Sequence, residues 1–114
     1  MKTNGIEWVF LETHNWGKAA RFLQSVGYRL EFETDHASGQ FSGDTGPRVF
    51  VAEIPEDRPP QTHLVLTIPD ADTFHPGPGL EVVEPFEDTH YGTREMTVRD
   101  PDGRIWRIQA PAKP

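Results

Sequence analysis

The sequence writes one order of elements twice, and few folds can accommodate that. In the first half, "IEWVFLET" (6–13) alternates as a strand does, with Trp8 and Phe10 on one face and Val9 and Leu11 on the other. "HNWGKAARFLQSVG" (14–27) reads as a helix. Asn15 is its N-cap, Ala19, Phe22, Leu23 and Val26 recur at helical spacing, and Gly27 is the C-terminal stop. "YRLEFETD" (28–35) is a strand, "HASGQFSGDTGP" (36–47) a turn with a short weak strand around Phe41, and "RVFVAEI" (48–54) a strong strand. "PEDRPPQ" (55–61) cannot continue a strand, because its prolines lack the N–H a ladder needs, and it reads as a linker.

The order then restarts. "THLVLTIPD" (62–70) is a strand, and "ADTFHPGPG" (71–79) stands where a second helix would fall. Two prolines and two glycines leave that segment room for one turn at most. "LEVVEPFEDTH" (80–90), "TREMTVRD" (93–100) and "RIWRIQAP" (104–111) are three further strands. The sequence thus predicts one domain over 1–114, built of module one (about 6–54), the linker, and module two (about 62–110). Crossover and hairpin connections mixed in each half predict an α+β fold.

Composition removes several classes of function. The 114 residues include no cysteine, which excludes a disulfide framework, a zinc–thiolate site and a cysteine nucleophile. The net charge of −7, without clustered Lys and Arg, argues against nucleic acid as a partner. No run approaches a membrane span and no leader pattern is evident, so the sequence predicts a soluble, cytoplasmic protein with no membrane partner.

The segments "AARFLQSVGYRLEFE", "THLVLTI" and "YGTREMTVRDPDGRIWRIQAP" resemble the vicinal oxygen chelate superfamily, which holds glyoxalase I, bleomycin-resistance proteins and extradiol dioxygenases. The resemblance covers nearly the whole chain, and the "DPDG" hairpin is its most specific part. It implies two βαβββ modules whose mixed sheets curl around a cleft, with the helix of the second module degenerate. It also implies a divalent metal on the concave side, held by four strand positions. Carried over, these fall at Trp8 on the first strand, near Val51 to Glu53 on the fourth, at His63 after the linker, and at Arg107 on the last strand. An arginine is protonated and has no lone pair to give a metal. With Trp8 and Arg107 in two of the four places, the resemblance points to the metal-free branch, whose members bind a small and often planar molecule.

The expected ligand-binding residues are Trp8, Phe10, Glu12, His63, Thr67, Tyr91 and Arg107, with Val65, Ile105 and Gln109 on the same wall. Aromatic faces with a few polar groups suit a planar organic ligand, an antibiotic or an aromatic metabolite. Glu12 and Arg107 are expected to pair when no ligand is bound, because an unpaired buried charge is costly. His63 and Glu53 are the alternative metal ligands, which would make the chain a metal-dependent lyase, isomerase or dioxygenase with a displaced site. Each has an ordinary reading as well: His63 as a bonded strand residue, Glu53 as a strand end facing water, and Trp106 as core under the helix. No nucleophile–base arrangement is visible, so the reading leans to a binder without cofactor rather than an enzyme. The modest apolar content, together with the resemblance, predicts a homodimer.

Overall fold

The computed structural model describes residues 2–113, which divide into two compact units, 8–62 and 63–113 together with 2–7. The first contains β1 (Gly5–Thr13), α1 (Trp16–Ser25), β2 (Arg29–Glu33), β3 (Ser38–Ser42) and β4 (Arg48–Glu53). Its strands lie in the order β2-β3-β4-β1. The β1–β4 pair is parallel, as the crossover through α1 requires, and the other pairs are antiparallel. The second contains β5 (Thr62–Thr67), a 3-10 turn (Ala71–Thr73), β6 (Glu81–Asp88), β7 (Thr93–Arg99) and β8 (Ile105–Pro111). Here the order is β6-β7-β8-β5, with β5 and β8 parallel. The two units therefore repeat one topology, an open mixed α+β sheet. Where the first unit crosses over through a helix, the second crosses over through a single 3-10 turn.

α1 is fixed at both ends by local chemistry. The Asn15 side chain accepts from the Lys18 amide at 3.0 Å. Gly27, at φ +106°, takes the left-handed turn that ends the helix. The Gly27 amide then reaches the Gln24 carbonyl at 3.1 Å, and the Tyr28 amide the Leu23 carbonyl at 3.0 Å. This is the paired carbonyl closure of a Schellman ending. The helix presents Trp16, Ala19, Ala20 and Leu23 to the sheet, where they pack with Phe41, Val49 and Val51. Phe22 and Val26, expected on that stripe, are instead 64% and 59% exposed. Phe22 stands one position to the side of the 16–19–20–23 row, and Val26 is the C-cap, past the last helical residue, Ser25.

The second unit fills the place of its missing helix with loop residues. Phe74 and Leu80 pack on a core of Ile68, Ala71, Met96, Val98, Ile108 and Ala110. The rings of Phe74 and Phe86 meet edge to face at 6.0 Å. Trp106, expected beneath a helix, belongs to this helix-free core.

Candidate functional site

Each sheet has one face turned to its own core and one turned away from it; the expected ligand-binding residues on strands lie on the second, and Tyr91 stands in the turn before β7. In the first unit, the parallel register sets Trp8 beside Arg48, Phe10 beside Phe50 and Glu12 beside Ala52. Phe10 and Phe50 stack at 5.8 Å with their planes 10° apart, and Phe32 joins Phe50 at 6.3 Å. The Arg48 guanidinium lies 4.9 Å from the centroid of the Trp8 ring. Trp8 Nε1 donates to Gln40 Oε1 at 3.0 Å. The result is an aromatic plate whose indole is held in orientation by its own strand neighbours.

Glu12, whose side chain is only 10% exposed, is engaged by Arg58. Arg58 Nη1 donates to both carboxylate oxygens, at 3.1 and 3.2 Å, and the Gln61 amide adds a third bond at 3.1 Å. Glu12 N in turn donates to the Gln61 carbonyl at 2.9 Å. His14 Nε2 lies 2.7 Å from the Arg58 carbonyl oxygen. The linker is thus tied to β1 along its length, and the cation on Glu12 is Arg58 rather than Arg107. Arg58 sits among prolines in a segment without periodicity, so the sequence offered no sign of its partner.

In the second unit, Val65 pairs with Arg107 and Thr67 with Gln109, while Thr97 and Glu95 of β7 pair with the same two residues from the other side. His63 and Val65 are buried. Arg107 Nη1 donates to Thr97 Oγ1 at 3.5 Å. Tyr91 Oη donates to Glu95 Oε2 at 2.8 Å, and Gln109 Nε2 approaches the same hydroxyl at 3.5 Å. Burial, and then the Glu95 carboxylate, push the Tyr91 hydroxyl up to about 12, so it stays a proton donor throughout the neutral range.

Two of the positions at which the resemblance places a metal, Trp8 and Glu53, are engaged elsewhere. The indole of Trp8 is a donor only, and its N–H is already given to Gln40. Glu53 pairs with Thr13 at the opposite end of β4 from Arg48. Five strand residues span about 17 Å, so the Glu53 backbone lies far from that of Trp8. The Glu53 carboxylate is also engaged elsewhere, since Glu53 Oε2 accepts from the Trp16 amide at 2.9 Å, at the first turn of α1. Glu53 is exposed at the end of β4, as expected, and it also anchors a helix N-terminus, where a negative charge is favoured. Among the described residues, no three His, Cys, Asp or Glu side chains gather where an ion could be held.

The "DPDG" turn is held from inside by its first aspartate. The Asp100 carboxylate accepts from Trp106 Nε1 at 3.0 Å and from the amides of Asp102 and Arg104 at 2.9 and 3.0 Å. The Trp106 bond is the largest cause that lowers this carboxyl to about 2 from its ordinary 3.8, and the Arg104 amide and guanidinium add to it. A carboxyl lowered in the folded state stabilises the fold above its unfolded value and loses that contribution as pH falls toward its folded value. Asp100→Asn is therefore expected to lower the urea midpoint at neutral pH, and the gap from the parent should close between about pH 4 and pH 2. A gap that stays constant across that window contradicts the role given to Asp100.

Solved structures share this fold. A glyoxalase/bleomycin resistance protein/dioxygenase superfamily member from Vibrio splendidus 12B01 superposes with a TM-score of 0.70 at 16% identity, over 96% of this chain and 99% of that one. The chain has the fold of that superfamily. A structure described as NAD-dependent benzaldehyde dehydrogenase from Legionella pneumophila shares the fold, with a TM-score of 0.65 at 14% identity, over 91% of this chain and 97% of that one. So does a catechol 2,3-dioxygenase, with a TM-score of 0.58 at 14% identity, over 99% of this chain but 43% of that one. Identities this low carry the fold and not the chemistry. No protein-family model matches the sequence, and no curated protein matches it.

Several residues of these faces do not stand out in the sequence: Gln40, Arg48, Phe50, Phe32 and Arg58. The signal for Phe50 and Arg48 was present. A β–α–β crossover makes the outer strands parallel, and period-two alternation then carries Phe10 and Phe50 to one face.

Proposed function

We propose that the chain is a metal-free small-molecule-binding protein that takes a planar organic ligand, an antibiotic or an aromatic metabolite, on the open faces of its sheets. The observation that carries this is the plate of Trp8, Phe10, Phe50 and Phe32 on the face opposite α1, with its indole already oriented by Gln40 and Arg48. Flat aromatic surface that the unit's own helix leaves uncovered is what a planar ligand stacks on. Phe10 and Trp8 form the stacking wall, and Glu12 lies next along the same strand face. On the second unit's own open face, His63, Thr67, Tyr91 and Arg107 are the polar candidates. The metal-dependent alternative through His63 and Glu53 would require Glu53 to leave the Trp16 amide. We place the protein in the cytoplasm, without nucleic acid or membrane as partner; among the described residues no helix is long and apolar enough to cross a membrane. We also propose a homodimer, to be read by light scattering at micromolar concentration, where a monomer mass sinks that part.

The experiment is a thermal-shift screen against planar aromatic compounds and divalent ions, since any ligand of the native state raises the melting temperature with its concentration. Hits are then titrated against Trp8→Ala, which is expected to weaken a planar ligand by about fivefold or more, the size of one lost aromatic contact. Undiminished affinity in that variant removes the aromatic plate as the site. A divalent ion retained by untagged protein on dialysis at about one per chain contradicts the metal-free reading.

A further inference from the structure

The second unit holds a cation with almost nothing to do. Arg107 is partly buried on the open sheet face, yet among the described residues its guanidinium makes one hydrogen bond, to Thr97 Oγ1, at the 3.5 Å limit of such a contact. A guanidinium carries five N–H donors in a planar fork. Other arginines of this unit show the usual arrangement. Arg99 meets Glu81, Arg104 meets Asp100 and Asp102, and Arg94 meets Asp72 and Asp88. No carboxylate of the described residues lies within ion-pair distance of Arg107. Of the acidic groups that share this face, Glu95 is occupied by the Tyr91 hydroxyl at 2.8 Å, and Glu84 and Glu87 stand one strand further away, on β6, outside ion-pair distance. A half-buried cation left without a counter-charge, in a chain of net charge −7, is costly unless an anion completes it.

We propose that Arg107 is the anchor of an anion subsite that takes the carboxylate of an aromatic acid, with the Gln109 amide and the Tyr91 hydroxyl as neighbouring donors. The arrangement supplies what a carboxylate needs. Arg107 and Gln109 are two residues apart on β8 and share a face, so their donors project to the same side. Thr97 on β7 stands opposite Arg107 and fixes one edge of the fork. The remaining N–H groups are free for the paired, parallel bonds that guanidinium makes with carboxylate. Gln109 Nε2 has only a 3.5 Å contact with Tyr91 Oη to give up. Tyr91, held protonated, can turn its hydroxyl from Glu95 toward a bound anion.

This inference rests on the proposed binding of a planar ligand and names the charge that the second unit's own face would select. The test uses 1-naphthoate and its neutral isostere 1-naphthamide, titrated by two-dimensional amide NMR. The parent protein is expected to bind the acid at least about tenfold more tightly than the amide, the scale of a charge-assisted bidentate contact. Arg107→Met should abolish that preference, and Arg107→Lys should restore only part of it, because a point charge lacks the fork. Equal affinity of acid and amide in the parent overturns the subsite and leaves the binder reading standing. A preference that survives in Arg107→Met also overturns it. A preference lost with Arg107 but untouched by Trp8→Ala supports the subsite as a site of the second unit alone. If neither compound binds at millimolar concentration, both readings fall. The parent's acid-to-amide ratio needs no variant, so a poorly folding substitution does not protect the proposal.

Discussion

Phe41→Ala is expected to destabilise the protein by about 3–5 kcal/mol, the range for removing a buried aromatic side chain and leaving its cavity. The ring is fully buried, and it lies 5.7 Å from that of Trp16. Leu23 above it and Val49 and Val51 beside it belong to the same core. These neighbours sit on a helix and a paired strand and can collapse only partly into the space. A loss of that size is a large share of the about 5–15 kcal/mol that holds an ordinary domain. Urea unfolding should show the midpoint fall sharply with little change in slope. Phe41→Leu, which keeps much of the volume, should recover most of it. A midpoint shift worth under about 1 kcal/mol would mean that the Phe41 contacts do not carry the core of the first unit.

Gly39→Ala is expected to cost about 1–3 kcal/mol, for a reason of space rather than of backbone conformation. A methyl there would stand 2.6 Å from the Phe32 carbonyl oxygen and 2.7 Å from Cη2 of Trp16. The tryptophan could shift, but the carbonyl belongs to the neighbouring strand of the ladder and cannot retreat without breaking it. Gly39→Ala combined with Trp16→Phe should therefore remain destabilised. Gly77→Ala is the control: nothing lies within 4 Å of the added atom, and the change should be close to neutral. Full rescue by Trp16→Phe would place the whole clash on the ring and remove the argument from the strand carbonyl.

Both residues mark the limit of what the sequence makes legible. Element order was legible throughout, because alternation, helix spacing and proline placement are local properties. The crossover without a helix was legible too, from Pro76 and Pro78. Phe41 looked like the weakest strand residue, set among serine and glycine, yet it is fully buried. Its depth comes from what packs on it, α1 from one side and β4 from another, and no window around position 41 contains that. Phe22 and Val26 failed in the opposite sense. They are apolar and at helical spacing, but Phe22 lies beside the contact row of α1 and Val26 lies past its last residue. The candidate ligand-binding residues follow the same division. Which residues share a strand face followed from period two. Which charges meet did not: Arg58 crosses from a proline-rich linker to Glu12, and Glu53 crosses to the start of a helix, both through tertiary approach.

The helix anchor at Glu53 makes position 53 a joint between two elements. The carboxylate at the exposed end of β4 accepts from the amide of Trp16, and the ring of Trp16 packs beside Phe41 in the core. A cation drawn to this carboxylate would compete with the first turn of α1, so the strand end and the helix start answer together to whatever happens there.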